Sequence, residues 1–121
     1  MKTIFVVDDN NVNLLSAFKA LSKYYRVFTL PSASSMFELL EKIRPDLILL
    51  DILMPKMDGF EALKLLKSNS QNAGIPVIFL TASDEEATKT EGFRLGAAGF
   101  FLKPFSQQIL LDSIKPHLNE F

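Results

Sequence analysis

Leu47-Ile48-Leu49-Leu50-Asp51-Ile52-Leu53-Met54-Pro55-Lys56-Met57-Asp58-Gly59 is the stretch on which the reading of this chain turns. A wholly apolar run stops at a carboxylate, and turn residues follow. An apolar run without polar alternation predicts a strand buried on both faces, as in a parallel sheet covered by helices. Asp51 then stands at the carboxyl end of that strand, the edge of an open α/β sheet where ligands bind. A lone carboxylate there could simply end a strand or cap a helix. Its meaning depends on what else reaches the same edge.

Working outward, the same pattern recurs on both sides. Thr3–Val7 is rich in β-branched and aromatic residues and stops at Asp8-Asp9-Asn10-Asn11, a strand followed by helix-capping chemistry. Leu14, Leu15, Phe18 and Leu21 then repeat at helical spacing, with Ser16, Lys19 and Ser22 on the other side. Arg26–Leu30 is a second short strand, followed by Pro31, capping serines and a helix with Met36, Leu39, Leu40 and Ile43 on its apolar stripe. Pro45 ends that helix, because the residue before a proline is pushed out of the helical region. Beyond Gly59, Phe60, Leu63, Leu65 and Leu66 predict a third helix, and Ile75–Leu80 a fourth strand with Thr81-Ala82-Ser83 at its tip. Asp84 is expected to cap a fourth helix that runs to about Leu95 on a thin stripe of Ala87, Phe93 and Leu95. Phe100-Phe101-Leu102 predicts the fifth strand, ending at Lys103-Pro104. Ser106 caps a last helix with Ile109, Leu110 and Ile114 on its apolar face, its end frayed by Pro116. Five strands alternating with five helices through short connections imply a doubly wound α/β fold, since parallel neighbours need a crossover helix between them.

Composition excludes several functions. A length of 121 residues suits one domain over 1–121, and a net charge of -1 gives no reason to expect direct nucleic-acid binding. The chain has no cysteine, which removes disulfides, thiolate metal sites and a cysteine nucleophile. Lys2 is followed only by a short apolar run before Asp8 and Asp9, so neither a signal peptide nor membrane insertion fits, and the expected location is cytoplasmic. The lone His117 beside Pro116 has no matching ligand set and is expected at the surface.

In a parallel sheet all strands point one way, so Asp8, Asp9, Asp51, Thr81 and Lys103 should gather at one edge. Converging carboxylates repel, and at least one pKa rises unless a cation or a lysine offsets them. Oxygen ligands from two acidic loops suit Mg2+, which keeps waters that a phosphate can replace. Lys103 supplies a mobile point charge for the same phosphate, and the Thr81 hydroxyl can donate one hydrogen bond. The constellation suits phosphoryl transfer.

Asp8-Asp9 after the first strand, Asp51 in Asp51-x-x-Met54-Pro55-x-Met57-Asp58-Gly59, Thr81-Ala82 after the fourth and Lys103-Pro104-Phe105 after the fifth together resemble a response-regulator receiver domain, over essentially the whole chain. The resemblance implies that Asp51 accepts a phosphoryl group from the phosphohistidine of a sensor histidine kinase or histidine phosphotransfer protein. It implies Mg2+ held by Asp9, Asp51 and the backbone carbonyl of Leu53, with Asp8 acting mainly through water. It further implies that Lys103 stabilises the transferring group, and that Thr81 and Phe100 act as switch residues. Phe100 would turn inward and alter the surface of the fourth helix, fifth strand and fifth helix toward an unknown output partner. A cis peptide between Lys103 and Pro104 is also implied. The sheet order would be 2-1-3-4-5, as in flavodoxin, but an acidic first loop would repel a flavin phosphate.

Phe100 stands where many relatives have tyrosine, so no phenolic hydrogen bond can hold it, and the resemblance implies that Leu53 and Ser83, two residues beyond Asp51 and Thr81, border the attacking water. Asp9-x-Asn11-x-Asn13 begins like a calcium loop, but Leu14 occupies the glycine position and Ala20 the closing glutamate. A haloacid-dehalogenase-type phosphatase is the enzymatic alternative, yet it needs a second aspartate two residues after the first-strand nucleophile, where Asn10 follows Asp8. A receiver-shaped scaffold that is never phosphorylated is the third possibility.

Overall fold

The computed structural model describes residues 1–120. Strands β1 (Thr3–Val7), β2 (Arg26–Leu30), β3 (Leu47–Asp51), β4 (Val77–Thr81) and β5 (Gly99–Leu102) alternate with helices α1 (Asn11–Leu21), α2 (Ala33–Leu40), α3 (Gly59–Ser68), α4 (Glu86–Leu95) and α5 (Gln107–Ile114). The sheet is parallel throughout in the order β2-β1-β3-β4-β5, as the alternation and the resemblance imply.

Unbroken apolar runs become strands covered on both faces. Every residue of β1, β3 and β4 is buried. One side chain set of β3, Ile48 and Leu50, packs with Phe5, Val7, Leu63 and Phe79 beneath α2 and α3; the other, Leu47 and Leu49, packs with Ile4, Val6, Leu21 and Leu110 beneath α1 and α5. The period-2 alternation of a strand thus feeds two cores from one segment.

Helix entries follow local capping chemistry. Asn10 caps α1 by accepting from the N–H groups of Val12 and Asn13, Ser32 caps α2, and Ser106 caps α5. Asp58 and Glu61 form a reciprocal capping box at α3.

The structure corrects several details. Asp84 does not cap α4; the N-cap is Glu85, with no side-chain cap bond, because the chain after Ser83 stays extended one residue longer. Leu15 and Phe18 of α1, Leu65 of α3, Phe93 of α4 and Ile109 of α5 lie exposed, although they extend the apolar stripes. Small residues take their places toward the sheet in α1, where Ala17 and Ala20 are buried, and in α4, where Gly92 is the only buried residue. In α5 the buried face is Leu110, Leu111 and Ile114. Pro116 frays nothing: it sits in the first turn of a 3-10 helix, Lys115–Leu118, where its missing N–H costs no bond. His117 is half-buried beside Gly99, 3.7 Å from where a Cβ there would stand.

Candidate functional site

Parallel alignment brings the five predicted residues to one edge. Asp8 follows β1 and is fully buried; its Oδ1 accepts the N–H of Asn10 at 2.9 Å and its Oδ2 accepts Asn13 Nδ2 at 3.1 Å. Asp51 closes β3 and is buried, whereas Asp9 is exposed at the rim. Carboxylate oxygens of Asp8, Asp9 and Asp51 lie within 4.8 Å of one another. Lys103, from the loop after β5, reaches back between the buried pair, with Nζ 2.8 Å from Asp8 and 3.1 Å from Asp51. The peptide that follows it, Lys103–Pro104, is cis as expected.

The electrostatics follow from burial. Desolvation, and then the negative charge of Asp8, push the Asp51 carboxyl up from 3.8 to about 6, against the opposing pull of Lys103. Burial works against the Lys103 ammonium too, but its hydrogen bond to Asp8 and the charge of Asp51 outweigh that, and its pKa is raised. Two buried carboxylates share one lysine. The third carboxylate adds charge with no second cationic partner among the described residues, so the all-oxygen set fits a hard divalent cation.

Backbone geometry holds Asp51 in place. The N–H of Gly59 donates to the carbonyl of Ile52 at 2.7 Å, and a Cβ on Gly59 would stand 2.4 Å from the carbonyl oxygen of Asp51. Only glycine permits α3 to start this close to the strand end. The intervening loop carries Lys56 at a φ of 71°, a left-handed conformation that costs a non-glycine residue roughly 1 kcal/mol.

Thr81 ends β4 and is buried, its hydroxyl accepting the N–H of Ser83 at 3.0 Å. Leu53 borders the same open cleft of about 560 Å³, with its side chain 79% exposed. Phe100 stands apart from the carboxylates, half-buried against Phe79 at 5.4 Å between ring centroids. Three residues at the site escape the motif pattern. Asn13 reaches Asp8 from one turn into α1, and Asp84 and Glu85 wall the cleft with further negative charge. The spacing of Asn10 and Asn13 on a helix after an acidic loop was the available signal for the first.

Fold and site together define an α/β domain with an acidic, lysine-bridged cleft at the carboxyl edge of its sheet. Residues 4–115 match the response regulator receiver domain, and the chain belongs to that family. It is 32% identical to Protein PilH of Pseudomonas aeruginosa, over 94% of this chain and 95% of that protein. It is 38% identical to a probable cyclic di-GMP phosphodiesterase of Vibrio cholerae over 96% of this chain, spanning only 26% of the length of that relative. Against Response regulator PleD of Caulobacter vibrioides it spans 25%. The structure of Vibrio cholerae chemotaxis protein CheY4 superposes with a TM-score of 0.93 at 31% identity, covering 98% of this chain and 99% of that one. Receiver domains serve phosphorylation-gated signalling, and they bind Mg2+ at an acidic site such as the one formed here by Asp8, Asp9 and Asp51. Family membership sets aside the haloacid-dehalogenase alternative. No helix among the described residues is long and apolar enough to cross a membrane.

Proposed function

We propose that residues 1–121 form one receiver domain in which Asp51 accepts a phosphoryl group from the phosphohistidine of a sensor histidine kinase or a histidine phosphotransfer protein. The observation that carries this reading is the lysine bridge: Lys103 lies within ion-pair distance of both buried carboxylates, where it can meet an incoming phosphoryl oxygen. An Asp51 carboxylate oxygen forms the new bond to phosphorus as the phosphorus–nitrogen bond breaks. The bonding pair returns to the imidazole, which, protonated on its other nitrogen, leaves as the neutral ring. Product and reactants balance as one acyl phosphate and one free histidine.

Asp8, Asp9, Asp51 and the backbone carbonyl of Leu53 would hold Mg2+, whose charge offsets that of the phosphoryl oxygens. Lys103 neutralises a further oxygen, and the Thr81 hydroxyl, released from the Ser83 N–H, can donate to another. Asp51 must be ionised to attack. Its carboxyl, raised to about 6, is largely ionised near pH 7 and becomes more so as positive charge arrives. The output partner is engaged through α4, β5 and α5 in this reading, which the exposed apolar side chains Phe93, Leu102 and Ile109 on those elements support. The domain turns over no separate substrate in this reading. A phosphohistidine donor draws on ATP, so the reading requires the cytoplasm.

Incubation with Mg2+ and a small phosphodonor such as acetyl phosphate, followed by intact mass measurement, should add one phosphoryl group to the protein and none to Asp51→Asn. A label that survives in Asp51→Asn overturns the assignment, and steady release of phosphate from added esters would favour an enzyme instead.

A further inference from the structure

We infer that Asn13 is a positioning residue that sets which cation the acidic cleft accepts: by occupying Oδ2 of Asp8, its amide denies that carboxylate two-oxygen chelation and so favours Mg2+ over Ca2+. The inference rests on the Mg2+ site of the receiver reading and adds to it a residue outside the acidic set.

An ionised carboxylate offers about four lone-pair sites, shared between its two oxygens. In Asp8 three of them are taken by donors of the protein itself. Oδ1 accepts the N–H of Asn10 at 2.9 Å, and Oδ2 accepts both Asn13 Nδ2 at 3.1 Å and Lys103 Nζ at 2.8 Å. What remains lies on Oδ1. Asp8 therefore has a single oxygen to offer a cation or its water, in a cluster whose carboxylate oxygens all lie within 4.8 Å of one another.

Cation chemistry turns that count into a preference. Mg2+ takes few carboxylates and keeps several waters, whereas Ca2+ gathers about six to eight oxygens and readily takes both oxygens of one carboxylate. Of the three donors to Asp8, one is backbone and one is the lysine shared with Asp51, so Asn13 is the side chain on which the restriction turns.

The entry of α1 shows how Asn13 comes to do this. Two places after the first helical residue, a capping box has an acid that reaches back to the cap N–H, as Glu61 does to Asp58 in α3. In α1 the N–H of the cap residue Asn10 goes to Asp8 instead, and Asn13, at the place of Glu61, donates to the same carboxylate. A carboxylate at position 13 would have no proton to donate and would repel the buried Asp8; the amide supplies the donor without charge. Asn13 is half-buried and lines the cleft, so its contact with Asp8 stands beside the cation site.

The test titrates the isotope-labelled, unphosphorylated protein with MgCl2 and, separately, with CaCl2, following the backbone amides of Asp9 and Asp51. The native protein should bind Mg2+ more tightly than Ca2+. Asn13→Ala frees a site on Oδ2, and the ratio of the calcium to the magnesium dissociation constant should fall by about tenfold, the size of effect that outer-shell partners of metal ligands carry. Asn13→Leu keeps the bulk of the side chain without the donor and should shift the ratio in the same direction. An unchanged ratio in both variants overturns the inference even if both affinities weaken together, since a merely structural contact would give that result. A shift in Asn13→Ala that is absent from Asn13→Leu overturns it too, by tracing the effect to lost bulk, as does a native protein that prefers Ca2+. No phosphodonor is present in these titrations. A protein that shows the ratio shift but takes no phosphoryl label at Asp51 would keep the role of Asn13 and lose the phosphoacceptor assignment.

Discussion

Strands β1 and β3 are buried along their whole length, whereas β5 at the sheet edge is half-buried and ends at the exposed Leu102. The helices differ in the same sense. Helix α3 enters through the Asp58–Glu61 capping box and buries Gly59, Ala62, Leu63 and Leu66; α4 enters at Glu85 without a side-chain cap and buries Gly92 alone. Asp8 and Asp51 thus sit on the part of the sheet with the most buried contact, while Lys103 and Thr81 lead into the part with the least. Elements with few buried contacts open and shift at low cost. Under the proposed phosphorylation of Asp51, α4 and β5 are the elements expected to take up the change, rather than β1 and β3.

The sharpest way to break that contrast is a core truncation in β3. Leu49→Ala should cost about 2–5 kcal/mol in urea unfolding, since Leu49 is fully buried in the core beneath α1 and α5. A loss no larger than that of an exposed α4 substitution would remove the distinction between the two regions.

Next in size is the carboxylate itself. The folded pKa of Asp51, about 6, lies above its ordinary 3.8, so the folded protein binds this proton more tightly than the unfolded chain. The stabilisation is fully present below about pH 4 and is lost as pH rises through 6. With a chelator present, Asp51→Asn should abolish that decline and raise stability at pH 7 by on the order of 1–3 kcal/mol. Mg2+ should recover part of the deficit in the native protein and little in the variant. Identical pH profiles for the two proteins would show that Lys103 already compensates the charge.

Smaller effects distinguish the helix entries. Asp58→Ala removes one half of the capping box and should cost about 1 kcal/mol. Glu85→Ala should leave the unfolding midpoint where it is, because no cap bond is lost. Comparable losses from the two would mean that α4 is anchored as firmly as α3.

Much of this was legible before any coordinates. The apolar runs at Thr3–Val7 and Leu47–Leu50 gave no alternation because each feeds two cores, and that same feature carried the fold class and the edge where Asp51 stands. Helix faces were less legible. Ala17, Ala20 and Gly92 contribute little to a hydrophobic pattern, yet they are the residues that let helices approach the sheet, while Leu15, Phe18, Phe93 and Ile109 stand outside the contact. Periodicity measures how apolar a face is. Proximity to the sheet depends on how small it is.

The sequence by itself determined the alternation of strands and helices, the acidic and lysine residues at the strand tips and the family they resemble, because these depend on residue type and spacing along the chain. The tertiary structure alone decided which carboxylates Lys103 bridges, that Asn13 joins Asp8, and that the Phe100 ring occupies the space left by Gly92. Those are contacts between segments far apart in sequence or on different elements. Their distances are set by packing, to which no local pattern has access.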